Sequence, residues 1–102
     1  MKRYVCSSVL SPWEGYCNYT ASNPDWGYDA SQLLERCGGQ KGYVKFPRND
    51  GNGYYRSQIV YLFKSEEQYN EFNQQLRAAH LHWHVDVRKY REIPEGAIIR
   101  EM

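Results

Sequence analysis

The pattern of hydrophobic and polar positions along the chain changes period several times, and each change marks a predicted element. Alternation with a period of two indicates strands, and apolar residues three or four apart indicate helices. The clearest helix follows the capping box at residues 65–68, because Tyr69, Phe72 and Leu76 then recur on one side. The predicted elements in chain order are a strand at 3–10, a helix at 30–37, strands at 42–46 and 54–63, a helix at 66–79, a strand at 81–87 and a short edge strand at 97–99.

Capping and turn residues separate these elements. Asp29 is predicted to cap the first helix, and Gly38-Gly39 to end it. Residues 47–53 (Pro-Arg-Asn-Asp-Gly-Asn-Gly) are the densest turn signal and predict a tight hairpin between the two central strands. Residues 11–28 hold two Pro and two Gly, so we expect no long helix or strand there. A loop of that length is either functional or conceals a short element.

The order of strand, helix, strand, strand, helix and strand predicts an α+β fold of the ferredoxin-like βαββαβ type. Right-handed crossovers place both helices on one face of a four-stranded antiparallel sheet and leave the other face open. A chain of 102 residues is expected to form a single domain, residues 1–102. The open face is therefore the first place to look for function.

The final predicted strand has an apolar and a polar side. Its apolar residues are Leu81, Trp83, Val85 and Val87, and its polar residues are His82, His84 and Asp86. Period-two alternation predicts that the apolar row faces the core. With His80, the spacing H-x-H-x-H would align imidazoles along one side, which makes His82 and His84 candidate metal ligands or a candidate general base. The alternative is an ordinary solvated strand face.

Aromatic residues make up 16% of the chain, and ten of them are tyrosines. Tyr and Trp are enriched at protein interfaces because they combine a large rigid area with a polar tip. The candidate protein-binding residues in the segment 11–28 are Trp13, Tyr16, Tyr19, Trp26 and Tyr28. The first hypothesis is therefore a non-catalytic protein-binding module, such as a small inhibitor or an accessory regulator of phage or antitoxin type.

Charge is unevenly distributed although the net charge is only +1, so an electrostatic partner must meet a local patch. Cations and rings interleave around the hairpin at Lys41, Tyr43, Lys45, Arg48, Tyr54, Tyr55 and Arg56. Arg88, Lys89 and Arg91 lie near the end of the final strand. Cations for phosphates and rings for bases favour RNA or single-stranded DNA as the alternative partner, bound on the hairpin and the open sheet face. A second copy of the chain is another candidate occupant of that face.

Residues 56–67 (Arg-Ser-Gln-Ile-Val-Tyr-Leu-Phe-Lys-Ser-Glu-Glu) resemble the junction of the third strand and second helix in an RNA-recognition motif. The resemblance covers about a tenth of the chain. The two stacking positions that are aromatic in that family are here Gln58 and Val60. The resemblance therefore implies a shared order of elements and no base stacking by this strand, and it assigns no family.

Other classes of function receive little support from the sequence. Cys6, Cys17 and Cys37 show no CxxC spacing, so free thiols are expected and no zinc knuckle is predicted. The N-terminal apolar stretch is too short and polar for a signal peptide or spanning helix, so a cytoplasmic protein without a membrane partner is expected. We find no nucleophile beside a base and no phosphate-binding loop. No cofactor is predicted, and a small His-dependent or metal-dependent enzyme is the third hypothesis.

Overall fold

The structure is a computed structural model that describes residues 12–102. Its elements are β1 (Gly15–Cys17), β2 (Tyr19–Ala21), α1 (Pro24–Arg36), β3 (Gln40–Lys45), β4 (Gln58–Phe63), α2 (Glu66–Ala78), a 3-10 helix (Leu81–Trp83), β5 (Val85–Val87), β6 (Arg91–Glu92) and β7 (Ile98–Glu101). The strand predicted at 3–10 lies outside the described residues.

Helix α1 begins earlier than the sequence pattern predicts. Asn23 is its N-cap and accepts a hydrogen bond from the Trp26 N–H at 3.1 Å, and Pro24 takes the first helical position. Proline suits that position because its missing N–H would have no partner there. Of the two alternatives for residues 11–28, a functional loop or a concealed short element, the described part shows the second, because it contains β1, β2 and the start of α1, where Pro24 begins a helix instead of preventing one. Asp29 lies inside α1 and is not its cap.

Helix α2 confirms its prediction, and β3 and β4 form the predicted hairpin. The strand predicted at 54–63 begins instead at Gln58, because residues 54–57 belong to the connection, in which Tyr54 forms an isolated bridge with Pro47. The Ser65 hydroxyl accepts from the Gln68 N–H at 3.2 Å, and the Gln68 side-chain oxygen accepts from the Lys64 N–H at 2.8 Å. Strands β3 and β4 pair antiparallel, with Val44 opposite Gln58. The N–H of Arg48 closes the hairpin turn on the Gly53 carbonyl at 2.9 Å.

The strands form a five-stranded antiparallel sheet in the order β6-β1-β4-β3-β7 and a two-stranded sheet of β2 and β5. Only Asn18 separates β1 from β2, so the two sheets share one continuous segment of chain. The α+β class with two helices and antiparallel sheets is confirmed. The number and grouping of strands differ from a single four-stranded sheet.

Alternating residues of the central strands pack on opposite faces. Tyr61 and Phe63 point towards the helices and join Leu34, Phe72 and Leu76 in one buried cluster. The second cluster lies on the opposite face and consists of Trp13, Tyr16, Val44, Val60, Leu62, Ile93, Ala97 and Ile99. The face predicted to be open is therefore partly covered, because the segment between β6 and β7 packs Ile93 and Ala97 against it, while β7 extends the sheet at its edge beside β3.

The chain after α2 does not run straight into a strand. His80 adopts a left-handed conformation with φ 59°, and Leu81–Trp83 form one turn of 3-10 helix. With three residues per turn, Leu81 and Trp83 point in different directions, which breaks the period of two. Leu81 and Val85 are buried as predicted, but Trp83 is 74% exposed, so its predicted core position is wrong.

Candidate functional site

The first two aromatic residues of the segment 11–28 belong to the core. Trp13 is 4% exposed, and its indole N–H donates to a carboxylate oxygen of Glu101 at 2.7 Å. Tyr16 is buried beside Phe46, with ring centroids 5.2 Å apart. Both side chains are too buried to act as exposed anchors for a protein partner.

The remaining three aromatic residues lie in different environments. Tyr19 stacks on Tyr61 with centroids 3.9 Å apart, and Trp26 stacks on His84 at the same separation. Tyr28 is 64% exposed on α1. The five predicted protein-binding residues therefore do not form one exposed surface.

The predicted basic and aromatic residues around the hairpin are divided between one face of β3 and the connection that follows it. Lys41 lies opposite Tyr61, and Tyr43 opposite Ile59, so both project from the sheet face that carries the helices. Lys45 follows with the same alternation. The other four, Arg48, Tyr54, Tyr55 and Arg56, lie in the connection between β3 and β4. The set does not converge on one site.

A groove on the opposite face brings together other residues. Its volume is about 730 Å³, and it is lined by Tyr16, Asn18, Thr20, Phe46, Tyr55, Gln58, Arg88, Lys89 and Arg91. Among these described lining residues there are three cations, three rings and no carboxylate. We call this site the basic groove.

The strand register explains why these side chains share a face. Tyr16 lies opposite Arg91, and Asn18 follows two residues later on the same side. The Asn18 amide donates to the Gln58 side-chain oxygen at 3.1 Å, which joins β4 to the floor of the basic groove. The Arg88 N–H donates to the Asn18 carbonyl at 2.8 Å and so fixes the basic segment beside that floor.

The cations of the basic groove remain accessible to an anion. Arg88, Lys89 and Arg91 are all exposed. The Arg88 guanidinium is 3.7 Å from a carboxylate oxygen of Asp86, but both side chains are largely in solvent, where such a pair is weak. Burial raises the pKa of the Tyr16 phenol, and the nearby Arg91 partly opposes that shift. Tyr16 therefore remains neutral at physiological pH.

One wall of the basic groove is the hairpin connection, where Tyr55 presents an aromatic ring. Tyr55 is 47% exposed, and the Arg48 guanidinium lies 5.5 Å from the centre of its ring. The Tyr55 N–H donates to the Phe46 carbonyl at 2.8 Å. The ring is thus supported by both backbone and side-chain contacts.

His82 and His84 do not form the row that their spacing predicts. The 3-10 turn rotates the chain between them, and the His84 ring is occupied by its stack on Trp26. Within residues 12–102 no group of three or more His, Cys, Asp or Glu side chains is arranged to hold a metal ion. A paired metal site on this segment has no geometric support.

Three residues of the basic groove, Arg88, Lys89 and Arg91, are missing from the predicted hairpin set. Their clustering was visible in the sequence, but the hairpin and residues 88–91 are far apart along the chain. No local pattern shows that they meet. Tyr16 belongs to the predicted protein-binding set, and no local pattern shows that it lines this groove.

Comparison with family models, curated proteins and solved structures finds no match for this chain. No helix in the described part of the chain has the length and apolar character needed to cross a membrane. The basic groove is therefore interpreted from its own chemistry.

Proposed function

We propose that this protein binds single-stranded RNA or DNA along the basic groove. The observation that carries the proposal is the lining itself, which combines three exposed cations with the exposed Tyr55 ring and the half-buried Phe46 ring, and has no carboxylate among the described residues. Nonspecific single-strand recognition needs cations along the phosphates and rings against the bases. Asn18, Thr20 and Gln58 add amide and hydroxyl groups within reach of base edges.

The charge distribution supports contact with a short stretch of the nucleic acid rather than a long one. The net charge of the chain is +1, so attraction must come from the groove and not from the whole surface. In a plot of the logarithm of the binding constant against the logarithm of the salt concentration, three phosphate contacts would give a slope of roughly −2, at about −0.7 per phosphate for single strands. A much steeper slope would require cations outside the basic groove.

We further infer that the strands follow a ferredoxin-like order when two pairs of short strands are each counted as one. Strands β1 and β2 are separated by Asn18 alone, and β5 and β6 pair with β2 and β1 in turn. Counted this way, the order is β5/β6, β1/β2, β4 and β3, with β7 added at the edge. The basic groove then occupies the uncovered part of the face opposite the helices.

Protein binding through the segment 11–28 has less support from the geometry. Hot-spot residues act by becoming buried against a partner, and Trp13 and Tyr16 are already buried within the chain. A second copy of the chain that binds the sheet face would compete with the part of this chain that already packs against that face. Neither arrangement offers a convergent set of side chains comparable to the basic groove.

Fluorescence anisotropy with short labelled oligonucleotides of mixed sequence tests the proposal. The variant Arg88→Gln/Lys89→Gln/Arg91→Gln is compared with Arg36→Gln/Lys45→Gln/Arg77→Gln, which removes the same charge from exposed positions outside the basic groove. We expect single strands to bind at low salt, the groove variant to lose binding and the control to retain most of it. Absence of wild-type binding, or equal losses in both variants, would refute the proposal.

A further inference from the structure

The Tyr55 ring at the edge of the basic groove has a guanidinium over one of its faces. Arg48 approaches one face of the Tyr55 ring, 5.5 Å from its centre. The neighbouring backbone is fixed by the bridge between Pro47 and Tyr54. Tyr55 is 47% exposed and lines the basic groove, so part of its ring is accessible to a flat ligand.

Arg48 is itself held by Asp50. The Arg48 Nε lies 3.4 Å from one Asp50 carboxylate oxygen, and a terminal guanidinium nitrogen lies 3.5 Å from the other. The first oxygen also accepts from the Asn52 N–H at 3.0 Å. These contacts join Asp50 to Tyr55 through Arg48, and the two charged side chains of the pair are 45% and 50% exposed.

We propose that Asp50 is a positioning residue which, through Arg48, holds Tyr55 as a stacking platform for one base of a single-stranded polynucleotide. The inference rests on the proposed function of the basic groove. A side chain that is already restrained loses less conformational freedom on binding, so the stack forms at lower cost. Asp50 contacts no nucleotide in this arrangement.

Because Asp50 is negatively charged, a substitution that removes its charge distinguishes a positioning role from a simple change in attraction to phosphate. Replacing Asp50 with Asn adds one unit to the net charge of +1, so attraction to phosphate alone predicts tighter binding. A positioning role predicts weaker binding, because the ion pair with Arg48 is lost. Asn keeps a side-chain oxygen that accepts from the Asn52 N–H, so the turn itself is retained.

The experiment uses an oligonucleotide carrying 2-aminopurine, whose fluorescence falls when it stacks on an aromatic ring. We expect Asp50→Asn to weaken binding about fivefold, the low end of what one lost base–aromatic stack produces, and to reduce the quenching. Tyr55→Ala should abolish that part of the quenching, and Tyr55→Phe should preserve it. The control Asp29→Asn removes the same charge from an exposed position on α1 and should leave the quenching intact.

The outcomes separate this inference from the proposed function. If the wild-type protein binds no single strand, the proposed function fails and the role of Asp50 fails with it. If the wild type binds through the groove cations but Asp50→Asn binds as tightly or more tightly with full quenching, only the positioning role is wrong. A cooperative thermal melt of Asp50→Asn well above the assay temperature, together with weaker binding, would exclude a general loss of structure.

Discussion

The indole of Trp26 and the imidazole of His84 lie face to face, with centroids 3.9 Å apart and 5° between their planes. The contact joins the first turn of α1 to the residue before β5. A backbone hydrogen bond from the Ser22 N–H to the His84 carbonyl, 2.9 Å long, reinforces the same junction. The sequence predicts a loop around Trp26 and a strand around His84, and the stacked pair joins these two segments.

This stack predicts a measurable coupling between the two side chains. In a double-mutant cycle of Trp26→Ala and His84→Ala, we expect a coupling free energy of about 0.5–1.5 kcal/mol, as for other stacked ring pairs. Urea unfolding of the four proteins measures it. Trp26→Ala combined with the distant Tyr55→Ala should be additive to within about 0.5 kcal/mol. A coupling near zero for the first pair would show that the rings do not stack in solution.

The exposure of Trp83 predicts a small effect on stability. Its side chain is 74% exposed, so Trp83→Ala should change the free energy of unfolding by no more than about 0.5 kcal/mol. Phe72 is fully buried, and Phe72→Ala should cost about 3–5 kcal/mol. Thermal melts of both variants test the comparison. A large loss for Trp83→Ala would instead place this ring in the core, as period-two alternation predicts.

Trp13 is expected to behave as a core residue. It is 4% exposed and bonded to Glu101, so Trp13→Ala should cost about 3–5 kcal/mol of unfolding free energy. Tyr28→Ala, at a mainly exposed position of the same predicted loop, should have little effect. If chemical denaturation finds Trp13→Ala as stable as wild type, the ring is free to act as an interface anchor.

The two described cysteines should differ in reactivity. Cys17 is fully buried, and burial raises the pKa of its thiol to about 12, so almost no thiolate forms at neutral pH. Cys37 is half-buried, and burial followed by the nearby Glu71 also raises the pKa of its thiol. In a Cys6→Ser background, a maleimide should modify Cys37 before Cys17, as followed by peptide mass spectrometry. Faster labelling of Cys17 would contradict the described core.

Asp50 predicts a pH-dependent contribution to stability. The Asn52 N–H and then Arg48 lower the pKa of the Asp50 carboxyl below its ordinary value of 3.8. The ionised form is therefore favoured in the folded state, and its contribution is present above the unfolded pKa and lost as pH falls through the folded pKa. The difference in melting temperature between wild type and Asp50→Asn should shrink between about pH 6 and about pH 3. A constant difference would show that Asp50 does not contribute through its charge.

The sequence by itself determined the elements whose signals are local. The Ser65 cap with Gln68 and the apolar spacing of α2 act within a few residues, and the glycine-rich turn at 47–53 fixes the hairpin in the same way. These signals depend on backbone hydrogen bonds between near neighbours. They also indicated the α+β class, because they mark two helices and a hairpin between them, whereas the short strands β1, β2 and β6 were not predicted.

Only the tertiary structure decided which side chains are buried and which meet. Trp13 and Glu101 are 88 positions apart yet share a hydrogen bond, and Tyr55 of the hairpin connection and Arg88, which are also distant in sequence, line the same basic groove. Alternation around Trp83 predicted a strand, but the left-handed turn at His80 changed the period. Burial and electrostatic convergence depend on packing between segments distant in sequence, and no local period encodes that packing.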